Sequence, residues 1–311
     1  MTASLAQFLY QSPPGSPTPP GCSLGPYEVL GELGRGGMGV VFHARHTLLE
    51  RDVALKVLKS AGETERARRR FLLEARTGTQ IKHPNVVQTL DAGETEGLLY
   101  LAQELIEGAS LDVWIGRLEW PRALTLVYQA AEGLGAAHAL GIVHRDVKPS
   151  NVLLDHAGAV KLADFNLARG DSQDLDVTAT GAVVGTPYYM APEQARGQDV
   201  GPKVDVYAVG AVLFHLVSGR PPYQGGSSFA VLRRHLQEPV PDLCAEVSDA
   251  PVALGEAIKV FMAKELEERP DARAALEFLA ELPSAVLDLD ANLPTFAREA
   301  AMEESDSDGG S

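Results

Sequence analysis

The sequence predicts an α+β protein, an antiparallel sheet of five strands with one helix followed by a mostly helical second half. Three observations predict it. From Tyr27 to Ile106 strand-like runs recur, apolar and polar residues largely alternating in YEVLGELG and VVFHARH and the later runs mainly apolar, with glycine-rich or polar breaks between them. One helical stretch interrupts them, Glu63 to Ile81, with Phe71, Leu72, Ala75 and Ile81 placed to face a core. From Trp120 onward the period lengthens to about 3.6 residues, the mark of helices packed on one side.

With 311 residues, 45% of them hydrophobic, the chain can build a sizeable core as one large domain or two lobes. A formal charge of −15 and a pI near 5.0 argue against non-specific binding to nucleic acid or anionic membrane, because both would repel it. Neutral or basic partners fit better. Cys22 and Cys244 lie far apart and give no disulfide framework, which points to a reducing compartment. The start, MTASLAQFLYQSPPG, has neither a basic leader nor a long apolar run. The most apolar run, Val204 to Val217, is broken by Asp205 and His215 and falls short of the about 20 residues a membrane span needs. A cytoplasmic protein without membrane insertion is expected.

In chain order, residues 1–25 include SPPGSPTPPG, a composition expected to stay disordered, as a spacer or as a polyproline ligand. YEVLGELG and VVFHARH then read as a hairpin around Gly34-Arg35-Gly36-Gly37-Met38-Gly39-Val40-Val41, a G-x-G-x-x-G-x-V pattern whose amides can approach phosphate oxygens closely. A dinucleotide-binding turn has the same glycines but opens a helix, whereas here a β-branched strand continues. Val53-Ala54-Leu55-Lys56 reads as a buried strand ending in a lysine. The helix beyond carries Glu63, Glu65 and Glu74 as acidic candidates, and Arg66, Arg68, Arg69 and Arg70 as a solvated face or a phosphate-holding one. VVQTL and LLYLAQELI form the last hairpin and end at Glu107-Gly108. Pro121 opens a helix whose Leu124, Val127, Ala131, Leu134 and His138 recur on one side up to Gly141, with His138 expected to pack rather than react.

The sequence then turns to chemistry. HRDVKPSN, His144 to Asn151, is followed by Asp164-Phe165-Asn166. Phosphoryl transfer needs a carboxylate to orient the attacking hydroxyl, a cation beside the moving charge and oxygen ligands for a metal, and this stretch supplies all three. Together with the glycine-rich turn, Lys56 and Ala191-Pro192-Glu193, in that order, it resembles the protein kinase superfamily from about Tyr27 to about Leu282. GRGGMGVV and GTPYYMAPEQ are similar to the bacterial Hanks-type Ser/Thr kinases.

The resemblance implies a bilobal fold with ATP in the cleft, the small lobe over 26–107 and the large lobe over 108–283, then a C-terminal extension with an acidic tail over 284–311. It implies a nucleotide site of Leu33, Gly34, Arg35, Gly36, Gly37, Met38, Gly39, Val41, Ala54, Lys56, Glu74, Gln103, Glu104, Ile106, Asn151, Leu153 and Asp164. Lys56 would hold phosphates and pair with Glu74, Gln103 would be a polar gatekeeper, and Glu104 and Ile106 would offer backbone groups to adenine. Asp146 would orient the hydroxyl, Lys148 would meet the γ-phosphate, and Thr186 would bond both. Asn151 and Asp164 would ligate magnesium, or manganese in its place. Arg145 would pair with a phosphate on Thr178 or Thr180, added by the protein itself through a transient homodimer; the alternative is two exposed loop threonines. Glu193 would pair with Arg269, and Asp205 would bond the catalytic-loop backbone or else cap its helix.

Asn166 departs from the family's glycine. Asn tolerates positive φ next best, so the turn is expected to survive with slower turnover. The resemblance therefore implies a protein Ser/Thr kinase acting on protein substrates, with a nucleotide-binding pseudokinase scaffold or a small-molecule phosphotransferase as alternatives.

Overall fold

The computed structural model describes residues 4–11, 21–36, 39–59, 65–165 and 187–282. The chain divides into two compact units, Met1–Lys82 with Val87–Ile106, and His83–Val86 with Glu107–Ser311.

The first unit runs α1 (Leu5–Gln11), β1 (Ser23–Leu24), β2 (Tyr27–Gly36), β3 (Gly39–His46), β4 (Arg51–Lys59), α2 (Glu65–Gln80), β5 (Thr89–Thr95) and β6 (Leu98–Glu104). Its strands pair antiparallel in the order β1-β2-β3-β4-β6-β5. The expected five strands are present, and β1 adds a sixth at the edge. Alternation gives the sheet two apolar faces. On one, Leu58, Leu99 and Leu101 pack with Phe71 and Ala75 of α2. On the other, Val40, Phe42, Ala44, Val53, Leu55, Val57, Leu98 and Ala102 gather.

That second face corrects the reading of residues 1–25 as disordered. Leu5, Ala6 and Leu9 of α1, with Cys22 and Leu24, are buried in its cluster. The reason is local: LAQFL places Leu5 and Leu9 one helical turn apart, and the sheet face away from α2 needs cover. Burying each such leucine contributes about 1.5–3 kcal/mol. The proline-rich composition that suggested disorder belongs to residues 12–20, outside the described residues.

The second unit runs β7 (Gly108–Ser110), α3 (Trp120–Ala139), β8 (Val152–Asp155), β9 (Val160–Leu162), α4 (Pro192–Ala195), α5 (Lys203–Ser218), α6 (Ser228–Gln237), α7 (Leu243–Glu246), α8 (Val252–Phe261) and α9 (Ala272–Ala280). Pro121 opens α3, Leu124, Val127, Ala131 and Leu134 are buried along it, and Gly141 follows its end at φ 73°. Every residue of α5 from Val204 to Val217 is buried, so α5 shows no polar stripe and forms the axis on which α3 and α8 pack. Gly210 permits the α8 approach, since a Cβ there would stand 2.9 Å from Phe261 Cβ. A small antiparallel sheet, β7-β8-β9, which periodicity did not reveal, carries the segment between α3 and α4, and Val86 bridges Leu162 beside it. Among the described residues no helix is long and apolar enough to cross a membrane.

Candidate active site

In the first unit the ladder fixes the positions. Lys56 of β4 pairs with Val41 of β3 and Leu101 of β6, and only 8% of it is exposed. Ala54 lies two residues earlier on the same face, paired with His43 and Gln103. The β2–β3 hairpin closes where Gly36 pairs with Gly39. Gly39 sits at φ 138°, and a Cβ on it would collide with the Val57 carbonyl oxygen, so only glycine fits. Gly34 pairs with Val41, Arg35 turns to Glu32 at 2.8 Å, and Leu33 remains 53% exposed. At the end of β6 the Glu104 N–H donates to Gln88 O at 3.0 Å, while its carboxylate accepts from the Gln88 N–H at 2.7 Å. Ile106 is half-buried. Arg68 meets Glu94 at 2.7 Å, an exposed pair that fits the solvated-face reading. Gly37 and Met38 lie outside the described residues, as does the side chain of Glu74, whose backbone is helical.

In the second unit side chains fix the positions. Arg145 and Asp164 both take left-handed backbone, φ 68° and φ 56°, rare for residues with a Cβ. Fully buried Asp205, near the start of α5, holds the first: Oδ2 accepts from the His144 N–H and Oδ1 from the Arg145 N–H, each at 2.8 Å. His138 of α3 braces the same carboxylate through Nε2 at 2.7 Å, so it is an anchor as well as packing. His144 and Asn151 hold the second turn by way of Ala163. His144 Nε2 donates to Ala163 O and the Ala163 N–H donates to Asn151 O, each at 2.9 Å. The His144 ring also packs on Phe165, centroids 4.5 Å apart.

Between these turns stands the Asp146 carboxylate. Its Oδ2 accepts from Lys148 Nζ at 2.7 Å and from Asn151 Nδ2 at 3.3 Å, and Asn151 Nδ2 also donates to Asp146 O at 2.8 Å. Asp146 and Lys148 remain about a third exposed, 31% and 37% of their side chains. Asp164 is exposed, and Leu153 is half-buried on β8. Asn166, Thr178, Thr180 and Thr186 lie outside the described residues.

The segment after residue 186 is tied down from below. Glu193 and Arg269 form a fully buried pair at 2.6 Å, with Arg269 also donating to the carbonyls of Lys203 and Ala263, both at 2.9 Å. Tyr189 bonds His215 Nδ1 at 2.7 Å and Tyr207 bonds His235 Nδ1 at 2.8 Å. Burial lowers His215 to about 4 and, with Lys264 nearby, His235 to about 3, so both imidazoles stay neutral. Lys264 donates to Tyr223 and to the His235 carbonyl, each at 2.8 Å, and burial, followed by Arg269, lowers it to about 8. Sequence reading missed Gln194, which joins Ala191 to Arg145. Its signal was present: a Gln at the third position of a short helix can reach back to the residue before the helix.

A family model described as protein kinase domain matches residues 27–283. The chain is 41% identical over 272 residues to the DNA damage-responsive serine/threonine-protein kinase RqkA of Deinococcus radiodurans, covering 85% of this chain and 40% of that one. It is 40% identical over 222 residues to serine/threonine-protein kinase PrkC of Bacillus subtilis, covering 70% and 34%. Against serine/threonine-protein kinase PknH of Mycobacterium tuberculosis it is 38% identical over 253 residues, covering 80% and 40%. The chain thus spans well under half the length of these relatives. A family match over most of the chain, an antiparallel sheet carrying Lys56 and a helical unit holding Asp146, Asn151 and Asp164 agree, and the chain belongs to the protein kinase family.

Proposed function

We propose that this protein transfers the γ-phosphoryl group of ATP to serine or threonine hydroxyls of proteins, its own residues 166–186 included. The observation that carries the reading is the Asp146 carboxylate shared by Lys148 and Asn151 on a loop held by Asp205. In the reaction the substrate oxygen forms a bond to the γ-phosphorus, the bond to the departing ADP oxygen breaks, and the hydroxyl proton passes to Asp146. Lys148 offsets charge on the moving phosphoryl group. Lys56 binds the α- and β-phosphates, with Glu74 as its partner. To the phosphates we assign the amides of the glycine-rich turn, and to the base Leu33, Val41, Ala54, Gln103 and Leu153 with the backbone of Glu104 and Ile106.

Asn151 and Asp164 are the metal ligands in this reading. Their donor types fit: an amide oxygen and a carboxylate oxygen, on segments joined by the backbone bond from Ala163 N–H to Asn151 O, suit a hard cation that keeps waters and takes phosphate oxygens, magnesium first. When bound, the metal neutralises charge on the nucleotide phosphates. Arg145 supports the loop-phosphate assignment, because its Nε is buried and finds no hydrogen-bond partner among the described residues. Thr178 and Thr180 are the acceptors we assign to it. A cytoplasmic location, with protein substrates and transient self-association, completes the proposal.

The test is incubation of the full chain with labelled ATP, magnesium and a generic basic protein, followed by phosphoamino-acid analysis and mapping of residues 166–186. Label on serine and threonine, with Thr178 or Thr180 modified, is expected. Nucleotide binding without transfer, or label on tyrosine alone, contradicts it.

A further inference from the structure

We infer that Gln194 is a positioning residue for phosphoryl transfer: it fastens the carbonyl of Arg145 and so fixes the peptide that carries Asp146. The inference rests on the proposed kinase activity and concerns the same site.

The geometry is a two-way bridge. Gln194 Nε2 donates to Arg145 O at 3.0 Å, and Gln194 Oε1 accepts from the Ala191 N–H at 3.0 Å. These two contacts fix which end of the amide is oxygen, since a flipped group would set donor against donor and acceptor against acceptor. The Ala191 contact is half of a capping box, whose other half is absent because alanine has no side-chain oxygen. The helix start therefore uses only one end of the side chain. The other end reaches across to a residue far away in sequence.

What it reaches is the strained peptide. Arg145 at φ 68° is held on its N–H side by Asp205 and on its C=O side by Gln194. A left-handed non-glycine residue is strained and persists only where its surroundings over-determine it. Asp205 restrains the amide entering Arg145. Gln194 restrains the carbonyl leaving it, and that carbonyl belongs to the peptide plane shared with Asp146. Rotation of this plane would swing the Asp146 carboxylate away from the hydroxyl it orients. Gln194 also stands next to Glu193, which the buried pair with Arg269 locks in place. The bridge thus runs from a rigid anchor to the peptide between Arg145 and Asp146.

Two variants separate this role from a merely structural one. Gln194→Met keeps length and removes both bonds. Gln194→Glu keeps the acceptor for Ala191 but faces the Arg145 carbonyl with a group that cannot donate when ionised. Both are compared with wild type in the full chain for kcat, KM for ATP, KM for a protein substrate and thermal midpoint. The expected result is a kcat lower by about tenfold or more in both variants, with Gln194→Glu no better than Gln194→Met, and KM for ATP within about twofold. Wild-type kcat in either variant overturns the inference, because the Arg145 contact would then be dispensable. So does a loss confined to the thermal midpoint. If wild type itself transfers no phosphate, the kinase reading has failed instead, and the two failures are distinguishable.

Discussion

The two groups assigned to nucleotide and hydroxyl are positioned by opposite means. Lys56 stands where the β3–β4–β6 ladder puts it, and its neighbours Ala54 and Val41 follow from strand period and register alone. Asp146 stands on a loop without regular structure, where side chains from α3, α4 and α5 hold main-chain groups: His138 braces Asp205, Asp205 takes two amides, and Gln194 takes a carbonyl. A ladder distributes its restraint over many equivalent bonds. The loop concentrates it in a few buried ones. The difference teaches that single substitutions near Lys56 should do less harm than single substitutions well away from Asp146, which should disable it.

The largest effect should come from the loop's main anchor. Asp205→Ala leaves two amides near His144 unpaired, at about 1–3 kcal/mol each when buried, and frees the Asp146 peptide. Chemical denaturation should show about 2–6 kcal/mol lost, and initial rates should show kcat lower by about a hundredfold or more in the folded fraction. A variant with wild-type kcat would mean the loop, too, is held by distributed contacts.

Next is the part of the first unit that its composition concealed. Leu5→Ala in α1 should cost about 2–5 kcal/mol by denaturation, the range for a leucine removed from a packed core, while kcat stays within about twofold in the folded fraction. A negligible change would show that α1 does not belong to the sheet's core.

Within the ladder itself, Gly39→Ala should cost about 1–3 kcal/mol for a Cβ forced into a glycine-only conformation, and should raise KM for ATP more than it lowers kcat. An unchanged KM for ATP would separate the glycine-rich turn from nucleotide binding.

The smallest effect is a slope with pH. His215, lowered to about 4 by burial, binds its proton less readily folded than unfolded, where its value is near 6.5. Above about 6.5 the group is neutral in both states and adds no pH dependence. Between about 6.5 and 4 the unfolded chain takes up the proton first, so stability falls as pH falls, by up to about 1.4 kcal/mol per pH unit. His235, at about 3, extends the same trend further into acid. Denaturation curves between pH 7.5 and 5 should steepen this loss for wild type and flatten it in His215→Phe; equal slopes would contradict the assignment.

Much of the second region was legible as residues and little of it as restraint. HRDVKPSN and Asp164 carried the resemblance because they offer the carboxylate, the cation and the metal-binding oxygens that phosphoryl transfer calls for. The pairing of Glu193 with Arg269 and the contact of Asp205 with the loop amides, expected from the resemblance, are present. His138 read as packing because its apolar neighbours set the pattern and its bond to Asp205 is long-range. Gln194 was half legible: its place at the third position of a short helix signals the reach back to Ala191, while its bond to Arg145 is long-range and carries no period. In the first unit alternation revealed β2 and β3, and short apolar runs bounded by turn residues revealed β4 to β6. It failed for α1, where an apolar turn of helix is followed by a proline-rich run whose composition dominated the average. It failed also for β7, β8 and β9, which are too short for alternation to register.

The central claim is that Asp146, held by its loop, orients the hydroxyl that accepts phosphate. The most direct measurement compares phosphate transfer from ATP to protein by wild type and Asp146→Asn, with nucleotide affinity measured in parallel. The account predicts transfer slower by about 10²–10⁴-fold in the variant, the usual contribution of a positioned base, at an affinity for ATP changed by less than about threefold. Transfer at the wild-type rate by Asp146→Asn would contradict it.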